Sequence, residues 1–211
     1  MRCTFDLLRP APVRPLDVQT EVVREGKRIQ VVDTGLYDGD VCVAACRALR
    51  MRRGTASPAV AEDPALPALV VPPPPGEPKW SEAARTFELP GIMGAYDART
   101  PVDGDPAWPT TTWLRLRATV VEGTPTPAVV ALAAAADFVS NSANHAGPES
   151  WTMINADVSL DVVREPTSDW LAVEVRTSFA PDGIGHSTGR IYDESGFVAS
   201  AMTMGLVEPR S

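Results

Sequence analysis

Three side chains stand where their type and surroundings could do chemistry: Asp137, Asn155 and Thr203. Asp137 follows the run AVVALAAAA, so a carboxylate closes a stretch with no polar residue. An acid toward the C-terminal end of a helix is opposed by the helix dipole and has poor helix propensity. Burial there raises a carboxyl pKa and suits a general base near neutral pH. The plainer reading is an Asp surfacing where the helix frays into SNSAN, or one that bonds loop amides. Asn155 opens NADVSLDVVREP, in which Asn155, Asp157, Ser159 and Asp161 alternate with Ala156, Val158, Leu160 and Val162. That is the pattern of a strand with one polar and one apolar face. The Asn155 amide could hold a water or a carbonyl oxygen, or cap a turn after Trp151. Asp157 lies nearest to it on the polar face. Thr203, in VASAMTMGLV, shares a strand face with Ala199, Ala201 and Gly205. Such a face of small side chains either leaves room for a ligand or lets a helix pack closely.

Other chemistry is poorly supported. His145 and His186 are the only histidines, and two His without a cysteine cluster do not make a metal site. Cys3, Cys42 and Cys46 are odd in number and form no CxxC pair, which fits reduced, mostly buried thiols in a cytoplasmic protein. GIGHSTG (183–189) has glycines but no strand-to-helix context, so it is not a phosphate loop. Trp151 and Trp170 read as packing residues. A formal net charge of −8 and a pI near 4.8 speak against nucleic acid and anionic membranes as partners. No apolar run is long enough to span a bilayer, and MRCTFDLLRP enters a strand pattern without a signal-peptide layout.

The elements that must position these residues come in two copies. With a shift of 155 residues, Asp6 falls on Asp161, Arg9 on Arg164, Leu16 on Leu171, and Tyr37-Asp38 on Tyr192-Asp193. PLDVQTEVV (15–23) then matches the strand DWLAVEVRTSF (169–179), and the hairpin 31–51 matches the hairpin 187–207, each with good turn chemistry. This is a duplicated β-rich unit. TASPAVAEDPALPALVVPPPPGEP (55–78) holds eight of the 21 prolines and predicts an extended, exposed linker. TFELPGIMGAY (86–96) and WLRLRATVVEG (113–123) read as strands. TPTPAVVALAAAADFVSN (124–141) is the one convincing helix, with Thr126 as N-cap and Pro127 at its first position. Its body is apolar all round, so it must be buried, and a bent antiparallel sheet wrapped around it would do that. With hydrophobic residues at 44% of the chain, such a core is affordable.

The helix ending ALAAAADF, the strands MINADVSLDVVREP and WLAVEVRT, and GIGHSTGRIYDESGFVASAMTMGLV together resemble the double-hotdog acyl-CoA thioesterases. These are the acyl-CoA thioesterase II type and its actinobacterial relatives. The likeness covers nearly all of 80–208 and continues over 3–51. It implies an α+β double hotdog: a partial first hotdog at 1–54 with later strands only and its helix missing, a linker at 55–79, and a second hotdog at 80–211. It also implies hydrolysis of acyl-CoA thioesters by a water that Asp137 activates, with Asn155 and Thr203 orienting water and carbonyl. Thr203 stands where that family carries a Gln. DFVSNSANH does not have the Asp–His spacing of hotdog hydratases. No metal or redox cofactor is required, since thioester hydrolysis needs only a base and an oxyanion donor. The helix and the small-residue strand would form an acyl tunnel. The expected partner is an acyl-CoA or acyl-carrier thioester, and the half-open first sheet predicts a homo-oligomer. The competing reading is a non-catalytic acyl-CoA or acyl-carrier binding or scaffold protein with a degenerate site.

Overall fold

A computed structural model of the chain describes residues 1–54, 72–78, 94–101, 110–141 and 151–209. It divides into two units, Met1–Val70 and Val71–Ser211. In the first, β1 (Arg2–Leu7), β2 (Asp17–Arg24), β3 (Ile29–Asp38) and β4 (Val41–Met51) form an antiparallel sheet in the order β2-β3-β4-β1. The second contains β5 (Pro75–Pro78), β6 (Tyr96–Pro101), β7 (Thr111–Leu116), α1 (Ala128–Asn141), β8 (Trp151–Asn155), β9 (Asp157–Val162), β10 (Leu171–Phe179), β11 (Ile184–Asp193) and β12 (Gly196–Pro209). Its strand order is β9-β12-β11-β10-β7-β6-β5, with β8 also paired to β12. All of its pairings are antiparallel.

The duplication is written into the strand register. In the first unit Leu7, Ala44, Leu36 and Val18 lie side by side across four strands. In the second unit the residues 155 positions later, Val162, Ala199, Ile191 and Val173, form the same row. Both long hairpins carry a register shift at the same place, Leu36/Tyr37 and Ile191/Tyr192. The two rows differ in what covers them. Ala199, Ile191 and Val173 are fully buried, with α1 packed on their sheet. Val18 is 67% exposed and Leu7 39%. Among the described residues the first unit has no helix, so its copy of the apolar face lacks the cover that α1 gives the second.

The burial of α1 deepens toward its C-terminal half, where Leu132, Ala135, Ala136, Phe138 and Val139 are buried. The small residues of the strands beneath make this close approach possible. A Cβ on Gly189 would lie 2.5 Å from Val139 Cγ2, and one on Gly205 would lie 2.6 Å from Met153 Cε. The space that the small-residue face of β12 predicted for an acyl tunnel is therefore filled by Met153 at Gly205, and on the neighbouring β11 Gly189 is met by Val139 of the helix.

Three local expectations are corrected. The strand expected over 113–123 stops at Leu116, because the chain turns at Gly123 (φ 72) and a Val121–Thr124 bridge closes that turn before the helix. The helix begins at Ala128, and Pro127 supplies its first carbonyl acceptor, to the amides of Val130 and Ala131. The Thr126 hydroxyl accepts the Val120 amide at 3.4 Å instead of capping the helix. The end of the expected linker belongs to the second unit: Pro72 is buried, the Pro73 carbonyl accepts the Trp113 indole N–H at 2.7 Å, and Pro75–Pro78 pairs with β6. Residues 55–71 and 86–93 lie outside the described residues.

One buried ion pair fastens the second unit. Arg164, just after β9, donates from Nη1 to Asp193 Oδ2 at 2.7 Å and from Nη2 to Asp193 Oδ1 and the Gly196 carbonyl. The backbone amides of Thr167 and Ser195 also donate to this carboxylate, both at 2.8 Å. Burial alone would push the Asp193 carboxyl up, but the guanidinium, the two amides and the Thr167 hydroxyl outweigh it and hold it well below the usual carboxylate range. Trp170 packs against the buried cluster of Trp113, Ala172 and Tyr192, and the guanidiniums of Arg99 and Arg115 stand over its ring at 5.3 and 4.8 Å. Cys3, Cys42 and Cys46 are free thiols, Cys3 buried and the others half-buried. Among the described residues no helix is long and apolar enough to cross a membrane.

Candidate active site

The polar strand face predicted over 155–161 is interrupted. β8 ends at Asn155 and β9 starts at Asp157. On β12, Asn155 pairs with Gly205 and Ser159 with Met202, so four steps on one strand match three on the other. Ala156 is the extra residue of a β-bulge, and its amide donates to the Met204 carbonyl at 3.0 Å. A bulge of this kind re-aims side chains. Ser159 and Asp161 stay on the outer face with Asp157, while Val158 and Leu160 are buried beneath the helix. Asn155 is turned the other way, toward α1.

There it meets Asp137. Asn155 Nδ2 donates to Ser140 Oγ at 2.6 Å and to Asp137 Oδ1 at 3.3 Å. Ser140 Oγ donates to the Asp137 backbone carbonyl at 2.9 Å, so its oxygen is left to accept. This fixes the amide: its N–H₂ group faces the helix, and its carbonyl Oδ1 is buried with no hydrogen-bond partner among the described residues. The Asp137 carboxyl is pushed up by burial, with the Asn155 hydrogen bond pulling in the opposite direction. No basic side chain lies in the last turn of α1 to offset the helix dipole. The outcome is a partly desolvated carboxylate beside an unused amide oxygen. Both are hydrogen-bond acceptors, and no described residue uses the amide oxygen.

Thr203 is buried but does not join this group. Its hydroxyl donates to the Asp157 carbonyl at 2.6 Å, and the Met204 amide donates to Asp157 Oδ1 at 2.7 Å. These two bonds close the ladder around the bulge, so Thr203 and Asp157 act on the site by holding the kink that aims Asn155. Thr203→Val is therefore expected to cost about 1–2 kcal/mol, the order of one buried hydrogen bond. Denaturant unfolding would show the stability loss.

Sequence reasoning passed over Ser140 and Tyr96. Ser140 falls inside the expected helix 124–141, where no role was assigned to it; it is buried and lies one helical turn from Asp137. Tyr96 is 4% exposed, and its ring meets Phe138 edge-on at 6.3 Å. Its position at the end of an expected strand gave no signal of that role. His145 lies outside the described residues, as does the side chain of Trp151. Among the described residues no three His, Cys, Asp or Glu side chains gather as metal ligands. Two concavities among the described residues lie elsewhere. One of about 760 Å³ in the first unit is lined by Asp6, Glu21, Asp33 and Arg47, and one of about 480 Å³ in the second by Asp161, Glu174, Arg176 and Arg190. Both lie on the outer face, and neither is lined by Asp137, Asn155 or Thr203.

Residues 1–51 match the family described as the acyl-CoA thioesterase N-terminal domain, and residues 64–207 match the acyl-CoA thioesterase C-terminal domain. The fold is similar to that of the acyl-CoA thioesterase II TesB2 of Mycobacterium marinum, at 20% identity and a TM-score of 0.68, over 100% of this chain and 81% of that one. A putative thioesterase from Novosphingobium aromaticivorans gives 20% identity and a TM-score of 0.69, over 97% and 78% of the two chains. A protein described as having a hot dog fold, from Alicyclobacillus acidocaldarius, gives 17% and 0.68, over 100% and 78%. At these identities the likeness establishes the fold: a double hotdog whose first copy lacks its helix among the described residues. No curated protein matches significantly.

Proposed function

As this chain belongs to the acyl-CoA thioesterase family, we propose that it hydrolyses acyl thioesters with Asp137 as general base. The single observation that supports this reading is the pairing of a desolvated carboxylate with a buried amide oxygen, Asn155 Oδ1, that has no partner among the described residues. A water donating one proton to each is positioned and polarised. Asp137 takes a proton as the water oxygen attacks the thioester carbonyl carbon. The tetrahedral intermediate collapses, the C–S bond breaks, and the thiolate leaves with the proton that Asp137 carried. The products are a free acid and a thiol. Asn155 orients the water and Ser140 fixes Asn155. Thr203 and Asp157 keep the bulge that points Asn155 inward.

The test is thiol release from acyl-CoAs of short to long chain, followed across pH. Saturable release should fall away on the acid side, with a midpoint above the pH at which an ordinary Asp titrates, about 4. The sign follows from burial: the Asp137 pKa is raised, so the base is lost by protonation earlier than usual as pH falls. Release that stays level down to pH 4 would rule out Asp137 as the base. A binding protein without turnover is the second reading, favoured by the space over Gly189 and Gly205 being filled by Val139 and Met153. It would show saturable binding of a non-hydrolysable thioether analogue and no thiol release at any pH.

A further inference from the structure

Attack on a thioester carbonyl moves an electron pair onto its oxygen, and that oxyanion needs a hydrogen-bond donor. Among the described residues, the side-chain protons around Asp137 are almost all committed. Asn155 Nδ2 gives to Ser140 Oγ and Asp137 Oδ1. Ser140 gives to the Asp137 carbonyl and Thr203 to the Asp157 carbonyl. Tyr96 is the exception. It is 4% exposed, and its hydroxyl has no hydrogen-bond partner among the described residues. A buried orphan of this kind calls for an explanation, because it gives up hydration and gains nothing in the folded state.

Its placement supplies one. Tyr96 opens β6 and pairs with Leu116 on β7. Leu116 alternates with Leu114, whose partner Leu171 sits two residues from the buried Val173 of the helix-facing row. Tyr96 therefore points to the helix side of the sheet. Its ring meets Phe138, the residue after Asp137, at 6.3 Å and 62°. We propose that the Tyr96 hydroxyl donates the hydrogen bond that holds the thioester oxygen as it becomes an oxyanion. The inference rests on the hydrolase reading above and adds the donor which that reading lacked once the Thr203 hydroxyl proved committed elsewhere. Tyr96 keeps its own proton throughout. The proton from water goes to Asp137 and then to the leaving thiolate, while the oxyanion pair returns to re-form the carbonyl as the C–S bond breaks. Burial first, and the nearby Asp137 charge second, push the Tyr96 hydroxyl up to about 12, so it remains a donor wherever Asp137 works as a base.

Tyr96→Phe tests this, because Phe keeps the ring on Phe138 and removes only a group without a partner among the described residues. With the full chain and an acyl-CoA substrate, kcat should fall by about 10²–10³, the usual loss on deleting an oxyanion donor. KM should stay within a few-fold, and the melting temperature should be unchanged or higher. A variant that keeps wild-type kcat overturns the assignment while leaving the hydrolase reading intact. A fall in kcat accompanied by a lowered melting temperature also overturns it, since the hydroxyl would then be structural. A wild type without any turnover overturns the hydrolase reading, and this proposal with it.

Discussion

Asp137→Asn is expected to abolish thioester hydrolysis, lowering kcat by about three orders of magnitude, without weakening the fold. The substitution keeps an oxygen where Asn155 Nδ2 donates, so the contacts among residues 137, 140 and 155 survive. It removes a charge that the fold accommodates at a cost. Burial raises the Asp137 pKa above its unfolded value, so the folded state binds this proton more tightly than the unfolded chain does. The stability associated with the neutral form is fully present below the unfolded pKa of about 4 and is lost as pH rises through the raised folded pKa. Above that folded pKa the wild type has lost it, and the Asn variant has nothing to lose. Denaturant unfolding on the alkaline side should therefore find the variant equal to or more stable than the wild type, with the gap closing in acid. A residue that lowers stability and raises activity is one held for chemistry. An inactive and destabilised variant would instead make Asp137 a structural residue.

Arg164→Ala should lower stability by about 2–4 kcal/mol. Asp193 is fully buried and Arg164 about a third exposed, which places the expected loss below the full cost of breaking a completely buried pair. Removing the guanidinium leaves a buried carboxylate held by the Thr167 and Ser195 amides and the Thr167 hydroxyl alone. Folding depresses the Asp193 pKa, so its contribution is fully present above about pH 4 and is lost as pH falls toward the folded value. The difference between wild type and variant in denaturant midpoint should thus be widest at neutral pH and narrow below pH 4. The pair joins the end of β9 to the β11–β12 turn. Its loss should lower stability at some distance from Asp137 and leave the acid limb of the pH–rate profile where it was.

The repeat, the buried helix and the turns were legible because each rests on local chemistry: period-two alternation, an apolar run, and glycine- or aspartate-rich turns. The β-bulge at Ala156 was not. The alternation Asn155, Asp157, Ser159, Asp161 is unbroken in sequence, and one extra residue in a strand leaves no mark on composition. Only the pairing of Asn155 with Gly205 and of Ser159 with Met202 exposes it. For the same reason Thr203 could be placed on the helix-facing side but not assigned a partner: its hydroxyl goes to a backbone carbonyl, which no sequence pattern displays. The Arg and Asp that each copy repeats were also visible, but their pairing was not. Arg164 holds Asp193, whereas the equivalent Asp38 bonds Arg14 and not Arg9. The two copies have kept the strand frame and its register and have diverged in the ion pair that fastens them, and among the described residues only the second carries a helix on its sheet.

The measurement that tests the central claim most directly is a single turnover of an acyl-CoA in ¹⁸O-labelled water, with mass analysis of both acid and protein. If Asp137 activates water, the released acid carries one labelled oxygen and the protein none. Label in Asp137 with unlabelled acid would show direct attack by the carboxylate, and no acid at all would show that the site binds thioesters without hydrolysing them; either result contradicts the account.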